Sequence, residues 1–275
     1  MQGSSATASR SDPGGYPRDA APSAAHRRIR PDLSLARRSI LAALALALAA
    51  PLQPAAARPA PRAALPHVAA RLAAGEGIFI IAFGSSSTQG LGASSAAATY
   101  PSQLQTDLRH ALPGRTVRVE NAGIAGEDAR SMDRRLPAII AAHPDLVIWQ
   151  TGSNDPLNKV PVSEFSALTA RGIRAMQAAG IDVMLMDPQY CRVITQHGGS
   201  RAYRHALHIL GARYHVPVIR RFDWMRRWLD ERLITPAALL APDGLHMADG
   251  GYARLSRDVG RRILALAPPG PVAAR

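Results

Sequence analysis

The chain has 275 residues, of which 47% are hydrophobic, with a single cysteine and a net charge of +13. Cys191 standing alone excludes an internal disulfide and any multi-cysteine metal site. The charge does not point to nucleic acid. Residues 1 to 57 carry seven Arg against three acidic residues, so +4 belongs there and +9 is spread over several predicted helices, with no tight basic block interleaved with aromatics. A solvated basic surface is expected, with at most a salt-screened attraction to anionic lipid or polysaccharide.

Residues 1 to 36 are rich in Ser, Pro, Gly and Arg without apolar periodicity, so they are expected to be disordered. Arg37 and Arg38 then precede an apolar run from Ile40 to Ala50, and a small-residue "AAA" ends at Ala57. That order reads as an export signal, and its apolar run is too short to span a bilayer. The paired arginines resemble a twin-arginine signal, with Ile40 in place of the usual aromatic. Residues 1 to 57 are thus assigned to a leader, 58 to 76 to a Pro/Ala linker and 77 to 275 to one folded domain in an exported, periplasmic or extracellular protein with no membrane span in its mature form.

From residue 77 onwards, strand-length apolar runs alternate with helix-length segments. Strands are expected at 77 to 83, 115 to 121, 145 to 151, 181 to 187 and 215 to 220. Helices are expected at 100 to 112, 131 to 143, 162 to 180 and 200 to 214, with a last one across "ADGGYARLSRDVGRRILALA". This βα alternation implies a five-stranded parallel sheet covered on both faces, a three-layer α/β/α sandwich. Ligand sites on such sheets lie beyond the carboxyl ends of the strands.

Four polar clusters fall at those ends. "GSSST" follows the first strand, "NAGIAGED" the second and "TGSNDP" the third, while "PDGLHMAD" precedes the final helix. Together they offer serine hydroxyls, glycine N–H groups, an amide, a carboxylate and an imidazole, the parts of a serine hydrolase. Ser85, Ser86 and Ser87 all remain candidate nucleophiles on this reading. Gly126 could bring a backbone N–H close to an oxyanion, and Asn154 offers a neutral amide donor. Asp243 and His246, three apart around Gly244, suit a base and the carboxylate that fixes its tautomer.

The four clusters resemble the blocks of the SGNH hydrolases, or GDSL lipases/esterases: G-D-S-[LI]-[TS], N-x-x-x-x-G, G-x-N-D and D-x-x-H. Here they read Gly84-Ser85-Ser86-Ser87-Thr88, Asn121 to Gly126, Gly152-Ser153-Asn154-Asp155 and Asp243-Gly244-Leu245-His246. The resemblance implies a flavodoxin-like SGNH hydrolase fold and an esterase that needs no cofactor or metal. Gly84 and Thr88 set the register, which makes Ser86 the implied nucleophile, His246 the base and Asp243 its partner. Ser86 N–H, Gly126 N–H and the Asn154 amide would form the oxyanion hole. Two positions depart from the pattern: Ser85 replaces the usual Asp, and Met247 follows His246 where Pro is usual.

The implied activity is cleavage of carboxylic esters of carbohydrates or lipids through an acyl-enzyme. Two alternatives keep the fold: an O-acyltransferase acting on envelope polysaccharide, and an inactive carbohydrate-binding domain. The glycine-rich turn lacks the G-K-[ST] of a P-loop and the G-x-G-x-x-G of a dinucleotide site, and no G-x-S-x-G elbow surrounds Ser86. His205 and His208 lie at helical spacing but show no acidic partner nearby in sequence, so surface or core roles are expected rather than a metal site. Trp224, Trp228, Met184, Met186 and Cys191 are expected to pack, while Asp187, Gln189 and Tyr190 are candidate pocket residues after the fourth strand.

Overall fold

The computed structural model describes residues 64–196 and 200–268. The expected leader, residues 1 to 57, and the start of the linker lie outside the described residues. Five strands, β1 (Ile78–Gly84), β2 (Val117–Gly123), β3 (Leu146–Gln150), β4 (Asp182–Met186) and β5 (Val218–Ile219), form one parallel sheet ordered β2-β1-β3-β4-β5. That is the flavodoxin-like order, whose direction of winding reverses between β1 and β3.

The strands read as apolar runs because both faces of the sheet are covered. Alternate residues of β1 go to opposite sides: Ile80 and Ala82 enter one core, Ile81 and Phe83 the other. Helices α1 (Pro66–Ala73), α3 (Tyr100–Ala111), α8 (Arg221–Asp230) and α10 (Asp249–Leu266) cover the first face. The second is covered by α4 (Ala129–Ala141), α5 (Val162–Ala178) and α7 (Ser200–Arg213). Trp228 is fully buried and donates to Asp258, Trp224 is partly buried, and Met184, Met186 and Cys191 are buried, all as core packing requires.

Three differences from the sequence reading have physical causes. Within the expected linker, residues 66 to 73 form α1, which buries Val68 and Leu72 and whose Val68 N–H donates to Asp182. Its composition resembles the preceding Pro/Ala stretch, but Pro66 at the first turn starts a helix rather than breaking one. β5 is shorter than expected, because Val216 N–H turns back to the Gly211 carbonyl and Pro217 has no N–H to give a ladder. α4 begins two residues early, where Asp128 accepts the Ser131 N–H as its cap. Among the described residues, no helix is long and apolar enough to cross a membrane.

Candidate active site

The four sequence clusters gather at the carboxyl ends of β1, β2 and β3 and in the loop before α10. β1 runs directly into α2 (Ser86–Gln89), so the three serines occupy the tight turn between strand and helix. Their environments differ. Ser85 and Ser87 are each 1% exposed, and both hydroxyls donate to Gln150 Oε1, at 3.0 and 3.2 Å. Ser86 is partly open to solvent, and its Oγ lies 3.0 Å from His246 Nε2.

His246 is held by its own loop. Its Nδ1 is 2.6 Å from Asp243 Oδ2, while Asp243 Oδ1 accepts the Leu245 and His246 N–H groups, both at 2.9 Å. Burial would raise the Asp243 pKa, but the hydrogen bonds from the His246 ring and these two backbone groups outweigh it and hold the carboxyl below its usual range. With Nδ1 donating to the carboxylate, Nε2 is the acceptor that faces the serine hydroxyl. The loop is closed by Ala241 N–H to the His246 carbonyl and by an antiparallel bridge between Leu240 and Met247. Met247, standing where the resembled family has Pro, is fully buried in the core.

The segment after the Ser86 turn presses against this loop. Gly92 has φ +89°, and a Cβ there would lie 2.5 Å from the Met247 carbonyl and 3.0 Å from His246 Cβ. Further along, Ser94 donates through its N–H to Asp249 at the start of α10, at 2.8 Å.

Gly126 and Asn154, two of the three candidate oxyanion donors, stand on loops that are tied together. Asn154 donates to the Glu127 carbonyl at 2.8 Å, and Asn158 to Asp128 at 2.9 Å. Asp155 accepts the Ala129 and Gly152 N–H groups, at 2.9 and 3.1 Å, pinning the start of α4 to the loop that carries Asn154. Its pKa is pushed up to about 6, mainly by burial, with the neighbouring Asp128 adding to the rise. Gly126, at φ +80°, stands in open space. Neither the Ser86 N–H nor the Gly126 N–H has an acceptor among the described residues. Asn121 joins the second cluster to the first by donating to the Gln89 carbonyl, and Gln89 Oε1 takes the Ala125 N–H.

Gln150, the last residue of β3, is the main residue that the sequence reading missed. Its Oε1 also takes the Ser85 N–H at 2.9 Å and the Thr88 hydroxyl at 3.1 Å. The turn is thus held by a neutral amide, where the resembled family places an Asp at position 85. Arg221 was missed as well. It is fully buried, and its Nη1 reaches Ser87 Oγ at 2.8 Å. Polar residues at the carboxyl ends of β3 and β5 were the available signal for both.

The candidates after β4 take other roles. Asp187 and Gln189 are buried beneath the turn, and Tyr190 packs edge-on against Phe222, so they do not form an open pocket wall. His208 does have an acidic partner, Asp187 Oδ2 at 3.1 Å, which sequence proximity could not reveal, while His205 is exposed. Cavities follow the same division. One of about 360 Å³ lies beside the loop after β2 and the start of α4, lined by Gly126, Ser131 and Arg134 among others. A larger one, of about 700 Å³, is lined by His67, Ile181, Asp182 and Val216 at the opposite end of the sheet and includes none of the four clusters.

Comparison with known proteins agrees with this architecture. The model of the Non-GDSL lipase-like family matches residues 53–245, ending one residue before His246. Comparison with curated protein sequences finds no match. Among solved structures, a lipase/acylhydrolase from Enterococcus faecalis is 23% identical with a TM-score of 0.60, covering 71% of this chain and 100% of its own. A two-domain esterase active on acetylated mannans is 20% identical with a TM-score of 0.64, over 79% of this chain and 57% of its own. An acetyl xylan esterase from Geobacillus stearothermophilus is 20% identical with a TM-score of 0.58, over 72% of this chain and 98% of its own. With the family model matching more than half of its length and an SGNH hydrolase fold beneath the four clusters, the chain belongs to the Non-GDSL lipase-like family.

Proposed function

We propose that Ser86, His246 and Asp243 form the catalytic triad of an exported esterase that removes short acyl groups, such as acetyl, from carbohydrate. The observation that carries this reading is the unbroken path from Ser86 Oγ through His246 to Asp243, reached by the one solvent-open serine of three. Ser86 Oγ attacks the ester carbonyl as its proton passes to His246 Nε2, and Asp243 holds the resulting imidazolium. The tetrahedral oxyanion is stabilised by the Ser86 and Gly126 N–H groups and the Asn154 amide. Collapse expels the sugar alkoxide, which takes the proton from Nε2. Water, deprotonated by the same nitrogen, then attacks the acyl-enzyme and releases the carboxylic acid and free Ser86.

Support for a carbohydrate ester comes from two neighbours in fold, an esterase active on acetylated mannans and an acetyl xylan esterase. It also comes from the local surface. The loops carrying Gly126 and Asn154 expose only isolated apolar residues, Ile124 at 46% and Leu157 at 40%, too little for a long acyl chain. Export rests on the twin-arginine-like leader before residue 58.

Acetate release from acetylated xylo- and manno-oligosaccharides tests the reading, with Ser86→Ala as control. Hydrolysis that disappears in the variant is expected. Acetyl transfer to a second glycan without free acetate would instead favour an O-acyltransferase, and glycan binding without turnover a carbohydrate-binding domain.

A further inference from the structure

Arg221 is a buried cation that forms no ion pair with a carboxylate among the described residues, and the mechanism above does not use it. It opens α8 directly after β5, at the carboxyl end of the sheet. Its Nε donates to the Asp187 carbonyl at 3.0 Å, Nη1 to Ser87 Oγ at 2.8 Å and Nη2 to Gln189 Oε1 at 2.9 Å. Burying such a group carries a large desolvation penalty before its hydrogen bonds are counted, so an apolar side chain would be the simpler filling at this place.

What the guanidinium adds is direction. It can only donate, so each partner must present an oxygen lone pair. Ser87 Oγ, accepting from Nη1, has one proton left, and Gln150 Oε1 is its acceptor at 3.2 Å. Gln150 must then turn its Nε2 the other way, where Ser153 Oγ accepts it at 3.2 Å. The Ser153 proton goes on to Gln189 Oε1 at 3.3 Å, the same oxygen that Nη2 fixes. These bonds close a ring through Arg221, Ser87, Gln150, Ser153 and Gln189, and the direction of each follows from the donor-only arginine together with the Ser85 N–H on Gln150 Oε1.

Two arms leave the ring towards the site. Gln150 Oε1 also holds the Ser85 N–H, on the residue before the proposed nucleophile. Gln189, with its oxygen turned to Arg221, points Nε2 at the Leu245 carbonyl, 3.4 Å away on the residue before His246. We propose that Arg221 is a positioning residue whose guanidinium sets the polarity of this buried ring and thereby holds the Ser86 turn and the His246 loop in reacting register. The inference rests on the reading of Ser86 and His246 as nucleophile and base. Its chemistry is one of orientation: Arg221 touches no reacting atom, and misplacing the two loops lowers the rate of attack without changing how substrate is recognised.

Arg221→Lys separates charge from geometry, because it keeps the cation and loses the planar fork that meets three acceptors at once. The full-length protein and this variant are compared by ester kinetics and by the rate of fluorophosphonate labelling per folded molecule, with folding checked by thermal melting. Expected is a fall of about 100-fold in kcat and in labelling rate, with KM within about threefold of the unsubstituted protein. Ser87→Ala and Gln189→Met, which keep the arginine and each remove one of its side-chain acceptors, are expected to lower the labelling rate by at least about tenfold, and they decide the matter if Arg221→Lys does not fold. Rates within about threefold for every variant that folds would overturn the inference while leaving the triad standing. Absence of labelling in the unsubstituted protein would instead remove the reading on which it depends.

Discussion

The Ser85 N–H and the Ser85 hydroxyl converge on one atom, Gln150 Oε1, at 2.9 and 3.0 Å. The residue beside the proposed nucleophile is therefore anchored through backbone and side chain together, from the end of the neighbouring strand. Replacing Gln150 with Leu leaves Ser85, Ser87 and Thr88 without their buried acceptor. A loss of about 3 kcal/mol in unfolding free energy is expected, since each stranded polar group costs about 1–3 kcal/mol and the turn can relax only in part. Urea unfolding of Gln150→Leu against the unsubstituted protein measures it.

Gly92 and Gly126 share a positive φ but differ in their surroundings, and the two should respond differently to alanine. At Gly92 a Cβ would meet the Met247 carbonyl and His246 Cβ, so Gly92→Ala should displace the base and lower kcat by about tenfold or more, besides the strain of the left-handed backbone. At Gly126 nothing lies within 4 Å of a Cβ, so stability should fall only by the conformational cost, about 1 kcal/mol. Paired melting and kinetic measurements separate the clash from the strain.

Asn154 already gives one amide proton to the Glu127 carbonyl and has a second to offer an oxyanion. Asn154→Ala is expected to lower kcat by about 100-fold, the usual size for losing one such donor, with KM changed far less. Steady-state kinetics on a soluble acetyl ester check the split. A change in KM alone would assign Asn154 to substrate binding.

Asp155 makes stability depend on pH in a defined direction. Its folded-state pKa of about 6 lies above the ordinary aspartate value of 3.8, so between these values the folded chain holds a proton that the unfolded chain has released. The stabilisation is complete below about pH 3.8 and is lost as pH rises through 6. Its size is on the order of 3 kcal/mol. Asp155→Asn should flatten the slope of unfolding free energy against pH in that window, as urea titrations at pH 4, 5, 6 and 7 would record.

Much of this architecture was legible because its causes are local in sequence. Apolar strands such as "IFIIAF" alternate with helices carrying apolar residues three and four apart, which determines a parallel sheet and tells which loops lie at its carboxyl ends. The four clusters on those loops pointed to Gly126, Asn154, Asp243, His246 and three serines, among which the resemblance to SGNH hydrolases singled out Ser86. The supporting ring was not legible, because burial decides the role of its members. Arg221 sits in "RRFDWMRRWLD", where a charged residue beside others like it reads as surface, and only the packing of α8 against the end of β5 turns it inward. Gln150 ends a run of apolar residues and looks like the edge of a strand, yet its amide meets three side chains more than sixty positions away in the chain. The His208 partner Asp187 was hidden for the same reason: the two meet across the end of the sheet, 21 positions apart.

The proposed reaction requires that Ser86, and neither of its neighbours, be an activated nucleophile. Treating the protein with a fluorophosphonate and mapping the adduct by mass spectrometry tests it most directly. Phosphonylation is expected at Ser86 alone, abolished in Ser86→Ala and strongly slowed in His246→Ala. Labelling at Ser85 or Ser87, or none on folded protein, would contradict it.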